Sequence, residues 1–135
     1  MATKTPITDP EVREVQTQWA TAIKKISSDY LQDRNFLDTA TNAINDLYAY
    51  GHSNVLFKPT KASAVQFRPI ASEAMSYFVG AKAVGYFGIE EDSGFAINGG
   101  KGWSDVVFDN HQIDLNGDIA IAMGNYHFTC ATSGD

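Results

Sequence analysis

A single cysteine, Cys130, stands in 135 residues, so no intramolecular disulfide can form. No Asn-x-Ser/Thr acceptor occurs either, and neither absence leaves any sign of an oxidising compartment. Long apolar runs are also missing: nothing approaches the roughly 20 residues of a membrane-spanning helix. The opening MATKTPITDPEV is polar and lacks the apolar stretch of a secretory signal. These features predict a cytoplasmic chain with no membrane partner. Basic residues are the minority, ten Lys and Arg against sixteen Asp and Glu, for a formal net charge of −6. Such a surface repels phosphate backbones, so no nucleic acid partner is expected, and a neutral or small substrate suits it better than a polyphosphate. Repeats, charge blocks and low-complexity tracts are absent, and the four prolines and eleven glycines punctuate the chain without dividing it.

What is present suits one hydrophobic core, with 44% hydrophobic and 19% charged residues. Thr8-Asp9-Pro10-Glu11 predicts a helix start: Thr8 or Asp9 can cap, Pro10 suits the first turn, and Glu11 completes a capping box. Val12, Val15, Trp19, Ile23, Ile26 and Tyr30 follow at steps of three and four, which predicts a core-facing amphipathic helix. Phe36, Leu37, Ala40, Ala43, Ile44, Leu47 and Tyr48 predict a second, ended by Gly51, with His52 as a helix-end residue beyond it. Val55-Leu56-Phe57 reads as a short strand stopped by Pro59, followed by a loop through Arg68-Pro69. A short helix is expected over Glu73–Val79, capped by Ser72 and closed by Gly80. Glu90-Glu91-Asp92-Ser93-Gly94 is an acidic turn, and the alternation beyond it predicts β structure.

Asn116-Gly117 predicts a two-residue type I′ hairpin with Leu115 opposite Asp118. That register sets Trp103, Val107, His111, Tyr126 and Phe128 on one face, and Val106, Phe108, Met123 and His127 on the other. A sheet apolar on both faces needs cover on both, helices on one and a partner chain or cavity on the other, which predicts a homodimer. Tyr126–Thr132 reads as a strand and Ser133-Gly134-Asp135 as a turn, so the sheet is expected to have an unfinished edge. Either a neighbouring chain completes it, or the natural polypeptide is longer.

Few constellations carry chemistry. Gly99-Gly100-Lys101-Gly102 lacks both the earlier glycine and the hydroxyl of a phosphate loop. Asp114-x-Asn116-Gly117 fails as a calcium loop, with Gln112 and Met123 at the end positions. His52, His111 and His127 have no zinc-site spacing; Asp109 with His111 offers two ligands on one strand face, and a solvated surface is the reading kept. No Gly-x-Ser-x-Gly elbow occurs, and Cys130 reads as a small buried residue.

Tyr48-Ala49-Tyr50-Gly51-His52-Ser53-Asn54-Val55-Leu56-Phe57-Lys58-Pro59-Thr60, Gln66-Phe67-Arg68-Pro69 and Ser76-Tyr77-Phe78-Val79-Gly80 resemble the iota-class carbonic anhydrases. Phe95–Trp103 and Tyr126-His127-Phe128-Thr129 are similar to that family too. The resemblance implies an α+β fold, the NTF2-like or SnoaL-like cone, in which N-terminal helices pack on a curved antiparallel sheet. It implies reversible hydration of carbon dioxide to bicarbonate in a pocket at the mouth of the cone, without a metal or other cofactor. Hydroxyl side chains carry the reaction there, and by position they are Thr60 and Tyr77. The family's serine in a His-His-Ser-Ser string has no counterpart, so the resemblance implies that the domain, residues 1–135, lacks the C-terminal strands.

The chemistry expected of such a site is orientation of a water against carbon dioxide, with hydroxyl donors on the oxygens where negative charge develops and a separate base for the proton. Arg68 offers a planar fork for bicarbonate, or a bridge from a loop to a carboxylate. Two other functions fit a cone domain: a non-catalytic module for ligand binding or oligomerisation, and an isomerase or cyclase, which wants a buried carboxylate on the pocket floor.

Overall fold

In the computed structural model, residues 5–135 are described, and the Met1–Lys4 part of the polar opening lies outside them. Helix α1 spans Asp9–Leu31 and starts where the sequence predicts, with Thr8 as its cap. The Thr8 hydroxyl accepts from the Glu11 N–H at 3.4 Å and donates to the Glu11 carboxylate at 3.1 Å. Its buried face carries Ala20, Ile23, Ile26, Ser27 and Asp29, while Val15 stays half exposed, so the apolar stripe is narrower than its periodicity implies. Helix α2 spans Phe36–Leu47 and ends at Tyr48, not at Gly51. Tyr48 goes extended because packing claims it: its ring lies against Tyr50, Phe57 and Phe78, and its hydroxyl accepts from the Trp19 indole at 3.1 Å. Gly51 uses its φ of 85° in the turn that follows.

The strand expected at Val55-Leu56-Phe57 does not form, because no neighbouring strand lies alongside; the Arg68 N–H donating to the Phe57 carbonyl is a single rung. Helix α3 covers Ala71–Val79 with Ile70 at the N-cap position, so Ser72 sits inside the first turn and caps nothing. Gly80 closes it as expected, with φ 96°. A one-turn helix α4, Ala81–Val84, and 3-10 turns at Gly85–Phe87 and Phe95–Gly100 come next, so β structure begins only at Trp103. Positive φ at Gly94, Asn98, Gly99 and Gly100 is what keeps that stretch out of a strand.

Strands β1, Trp103–Asn116, and β2, Ile119–Cys130, form a two-stranded antiparallel sheet. The turn lies one residue further along than expected and the pairing shifts by two: Asn116 faces Ile119 and Leu115 faces Ala120 in place of Asp118, leaving Gly117-Asp118 as the turn. Gly117 alone takes a positive φ, 66°, and its carbonyl accepts from the Ile7 N–H at 2.9 Å. Ser104 and His111 are the extra residues at two register shifts. Val106 and Phe108 therefore share the inner face with their partners Phe128 and Tyr126, whereas Val107 with His127 and Gln112 with Met123 face away. The strand expected through Thr132 stops at Cys130, whose N–H is taken by the Asp135 carbonyl while Gly102 accepts from Ala131. Helices α1 to α3 and the inner sheet face enclose the core, an α+β arrangement of N-terminal helices on an antiparallel sheet.

Candidate active site

Pro59 and Ala62 close a tight turn, the Ala62 N–H donating to the Pro59 carbonyl at 3.2 Å, and Thr60 and Lys61 occupy its centre. Thr60 thus follows a proline in a turn and is exposed there. That hydroxyl lies 3.2 Å from the hydroxyl of Tyr126 on β2. Tyr77, from α3, arrives from the other side and accepts the Lys61 N–H at 3.3 Å. Thr60 and Tyr77 are thus brought to one turn without bonding to each other.

Tyr77 is buried, stacked on Phe95 with centroids 5.5 Å apart and edge-on to Phe57 and Phe78. Burial pushes its hydroxyl up to about 12, so it is a neutral donor across the physiological range. Phe57, Phe95, Phe128 and Trp19 extend this apolar wall past Tyr126. On the far side a cavity of about 330 Å³ opens beside Tyr77, lined also by Lys61, Ser93, Phe95, Asn98 and Lys101; Thr60 is not in its lining.

The acidic turn does the holding. Glu91 accepts from the N–H groups of Ser63, Ala64 and Val65 at 2.6 to 3.2 Å, and these bonds, Val65's first, hold its carboxyl down to about 2. Asp92 takes the fully buried Arg68 guanidinium through two bonds and the Ser76 hydroxyl through a third. Of the two readings of Arg68, the structure selects the bridge from a loop to a carboxylate. Asp92 is also the buried carboxylate at the cavity that an isomerase would want, but its oxygens are committed to Arg68 and Ser76. Among the described residues, no three His, Cys, Asp or Glu side chains are grouped to hold a metal ion.

Three strings that carry the family resemblance, around Thr60, Tyr77 and Tyr126, therefore meet at one place from distant parts of the chain. The family model described as "Metal-independent carbonic anhydrase" matches residues 10–135. The chain belongs to the metal-independent carbonic anhydrase family. A relative of that name from Nostoc sp. (strain PCC 7120) is 36% identical over 134 residues, which take in 93% of this chain and 62% of the relative. The chain thus spans less than two thirds of the length of that curated relative. A crystal structure of the iota-carbonic anhydrase from a cyanobacterium, complexed with bicarbonate, superposes with a TM-score of 0.79 at 34% identity, covering 96% of this chain and 76% of that one.

Sequence reasoning about this metal-independent carbonic anhydrase family member missed four residues that shape the site. The Lys61 amide has no residue signature. Glu91 and Asp92 read only as an acidic turn, although a lone arginine at the end of a Pro-bounded loop was a signal that a carboxylate would be needed. Tyr126 was visible in a matching string, but its hydroxyl partner depends on the strand register.

Proposed function

We propose that this chain binds carbon dioxide and bicarbonate and interconverts them, with Thr60 and Tyr77 as the hydroxyl donors. One observation carries the reading: two hydroxyls, one of them kept neutral by burial, converge on the Pro59–Ala62 turn against an aromatic wall. The wall suits an apolar triatomic substrate, and the hydroxyls suit the charge that appears on its oxygens. Water adds its oxygen to the carbon and gives up a proton as bicarbonate forms. Of the carboxylates in the cavity wall, Glu91 is held as an anion by the amides of residues 63–65, and the oxygens of Asp92 are taken by Arg68 and Ser76, so both serve as anchors while the proton goes to another base. The family's description and the bicarbonate complexed with the similar cyanobacterial enzyme support the substrate pair.

The NTF2-like cone belongs to the same proposal, supported by helices preceding a hairpin and by the bulges at Ser104 and His111, which bend a strand. So does a homodimer, supported by Ile119, Ile121 and Met123 on the outer sheet face, each more than half exposed, for which a second copy is the assigned cover. Light scattering that finds only monomer at every concentration rejects that part.

Stopped-flow carbon dioxide hydration on chelator-treated protein tests the activity. Thr60→Val and Tyr77→Phe should each lower kcat about 100-fold, the usual effect of removing one such donor, with the fold kept by circular dichroism. Full activity in both variants removes the assignment of the site, and binding of small apolar ligands without turnover favours the non-catalytic domain instead.

A further inference from the structure

We propose that Tyr126 is a positioning residue of this site: its phenol donates to the Thr60 hydroxyl and so leaves the Thr60 proton for the substrate oxygen. The inference deepens the proposed carbonic anhydrase function and rests on it. A threonine hydroxyl on an exposed turn rotates among staggered positions and shares its one proton with whichever acceptor is near. Thr60 is such a residue, exposed and central in the Pro59–Ala62 turn, and Tyr126 lies 3.2 Å from it. A phenol is the stronger acid of the two, so it is the natural donor of the pair.

Tyr126 has the rigidity for that role. Its ring is gripped by Phe128, Phe108 and Trp19, with centroids 4.8, 5.7 and 5.9 Å away, from both strands and α1. Its hydroxyl is therefore placed by the hairpin register, and a slip of one residue would turn it to the outer face. The two catalytic hydroxyls then share one design. The Lys61 N–H occupies a lone pair of Tyr77, and the Tyr126 O–H occupies a lone pair of Thr60. Each hydroxyl accepts from the protein, keeps its own proton to give, and is polarised by the bond it accepts. Two donors prepared in this way favour an oxygen that is gaining negative charge over a neutral one.

The test is a double-variant cycle on the full chain, with Tyr126→Phe, Thr60→Val and their combination, reading kcat, KM and the affinity for bicarbonate from the line width of ¹³C-bicarbonate. Phenylalanine keeps the ring contacts, and unfolding midpoints check that the core is intact. Tyr126→Phe should weaken turnover about tenfold, the size of one hydrogen bond to a polar partner, mainly in kcat. That loss should vanish when Thr60 is already valine and persist in Thr60→Ser, which keeps the hydroxyl. Wild-type kcat and bicarbonate affinity in Tyr126→Phe, or an undiminished loss in the Thr60→Val background, overturns the positioning role. An unaltered Thr60→Val protein instead overturns the reading of the pocket, and the role of Tyr126 with it.

Discussion

Arg68 and Asp92 meet through two hydrogen bonds, 2.7 and 3.0 Å, with the arginine side chain 0% and the aspartate 2% exposed. The other donors of Arg68 go to the carbonyls of Val65 and Glu73 at 2.9 Å, so one buried cation ties the 63–68 loop to α3 and to the acidic turn. Removing one member of such a pair strands the other charge away from water. Asp92→Asn should lower unfolding stability by about 3–5 kcal/mol in urea titrations, and Arg68→Met with Asp92→Leu should recover part of that loss. A loss below about 1 kcal/mol for Asp92→Asn would mean that the pair is solvated, as surface pairs are.

Glu91 sets a second expectation, for acid. Its folded carboxyl is held down to about 2 by the amides of residues 63–65, against an ordinary value of 4.5. A depressed carboxyl contributes stability that is complete above the unfolded value and is lost as pH falls toward the folded one. Urea midpoints measured from pH 6 to pH 2 should therefore drop between about 4.5 and 2 in the wild-type chain, more steeply than in Glu91→Gln, which has no proton to take up there. Parallel curves for the two proteins would show that the amide cluster is not formed in solution.

How far the sequence reaches can be judged element by element. The Thr8 cap of α1 and the Gly80 stop were legible because they are local, settled by residues within one turn. The end of α2 was not, because Tyr48 leaves the helix for partners at Trp19, Phe57 and Phe78 that only the fold brings near. Asn116-Gly117 announced the hairpin but placed its turn one residue early, and so its pairing two residues off, since either Gly117 with its neighbour before or its neighbour after can form the two-residue turn. Thr60 and Tyr77 came from resemblance alone; composition and periodicity give a turn threonine and a core tyrosine. Tyr126 joins them across 66 residues through that same register, which no local pattern carries.

Gly124 gives a prediction about the hairpin itself. It sits opposite Asn110 where His111 is the extra residue, and a Cβ there would overlap the Asp109 carbonyl and lie 2.8 Å from the Asn110 Cα. Both are backbone, so neither can rotate away. Gly124→Ala should cost about 1–3 kcal/mol, the range for overpacking, and loosen the strand that carries Tyr126. Hydrogen exchange should quicken at the β1 and β2 amides near the bulge while α1 stays protected. Unchanged protection across the sheet would mean that the strands pair there with a different register.

The last expectation concerns the protonation state on which the proposed chemistry depends. Burial pushes two of the six tyrosines, Tyr48 and Tyr77, up to about 12, Tyr48 within the aromatic cluster and Tyr77 against Phe95 and Phe57. The charged phenolate is the disfavoured form, so the contribution of each to stability is present below the ordinary value of 10 and is lost as pH rises toward 12. In an absorbance titration at the phenolate band, the folded protein should show a late component that includes Tyr48 and Tyr77, with Tyr50 also raised by burial, and Tyr77→Phe should reduce that component by one tyrosine. Hydration activity should then show no loss near pH 10 traceable to Tyr77, because its hydroxyl still has a proton to donate there. If Tyr77→Phe instead removes a component titrating near 10, the ring is open to water, and a site built on a desolvated neutral hydroxyl loses its physical basis.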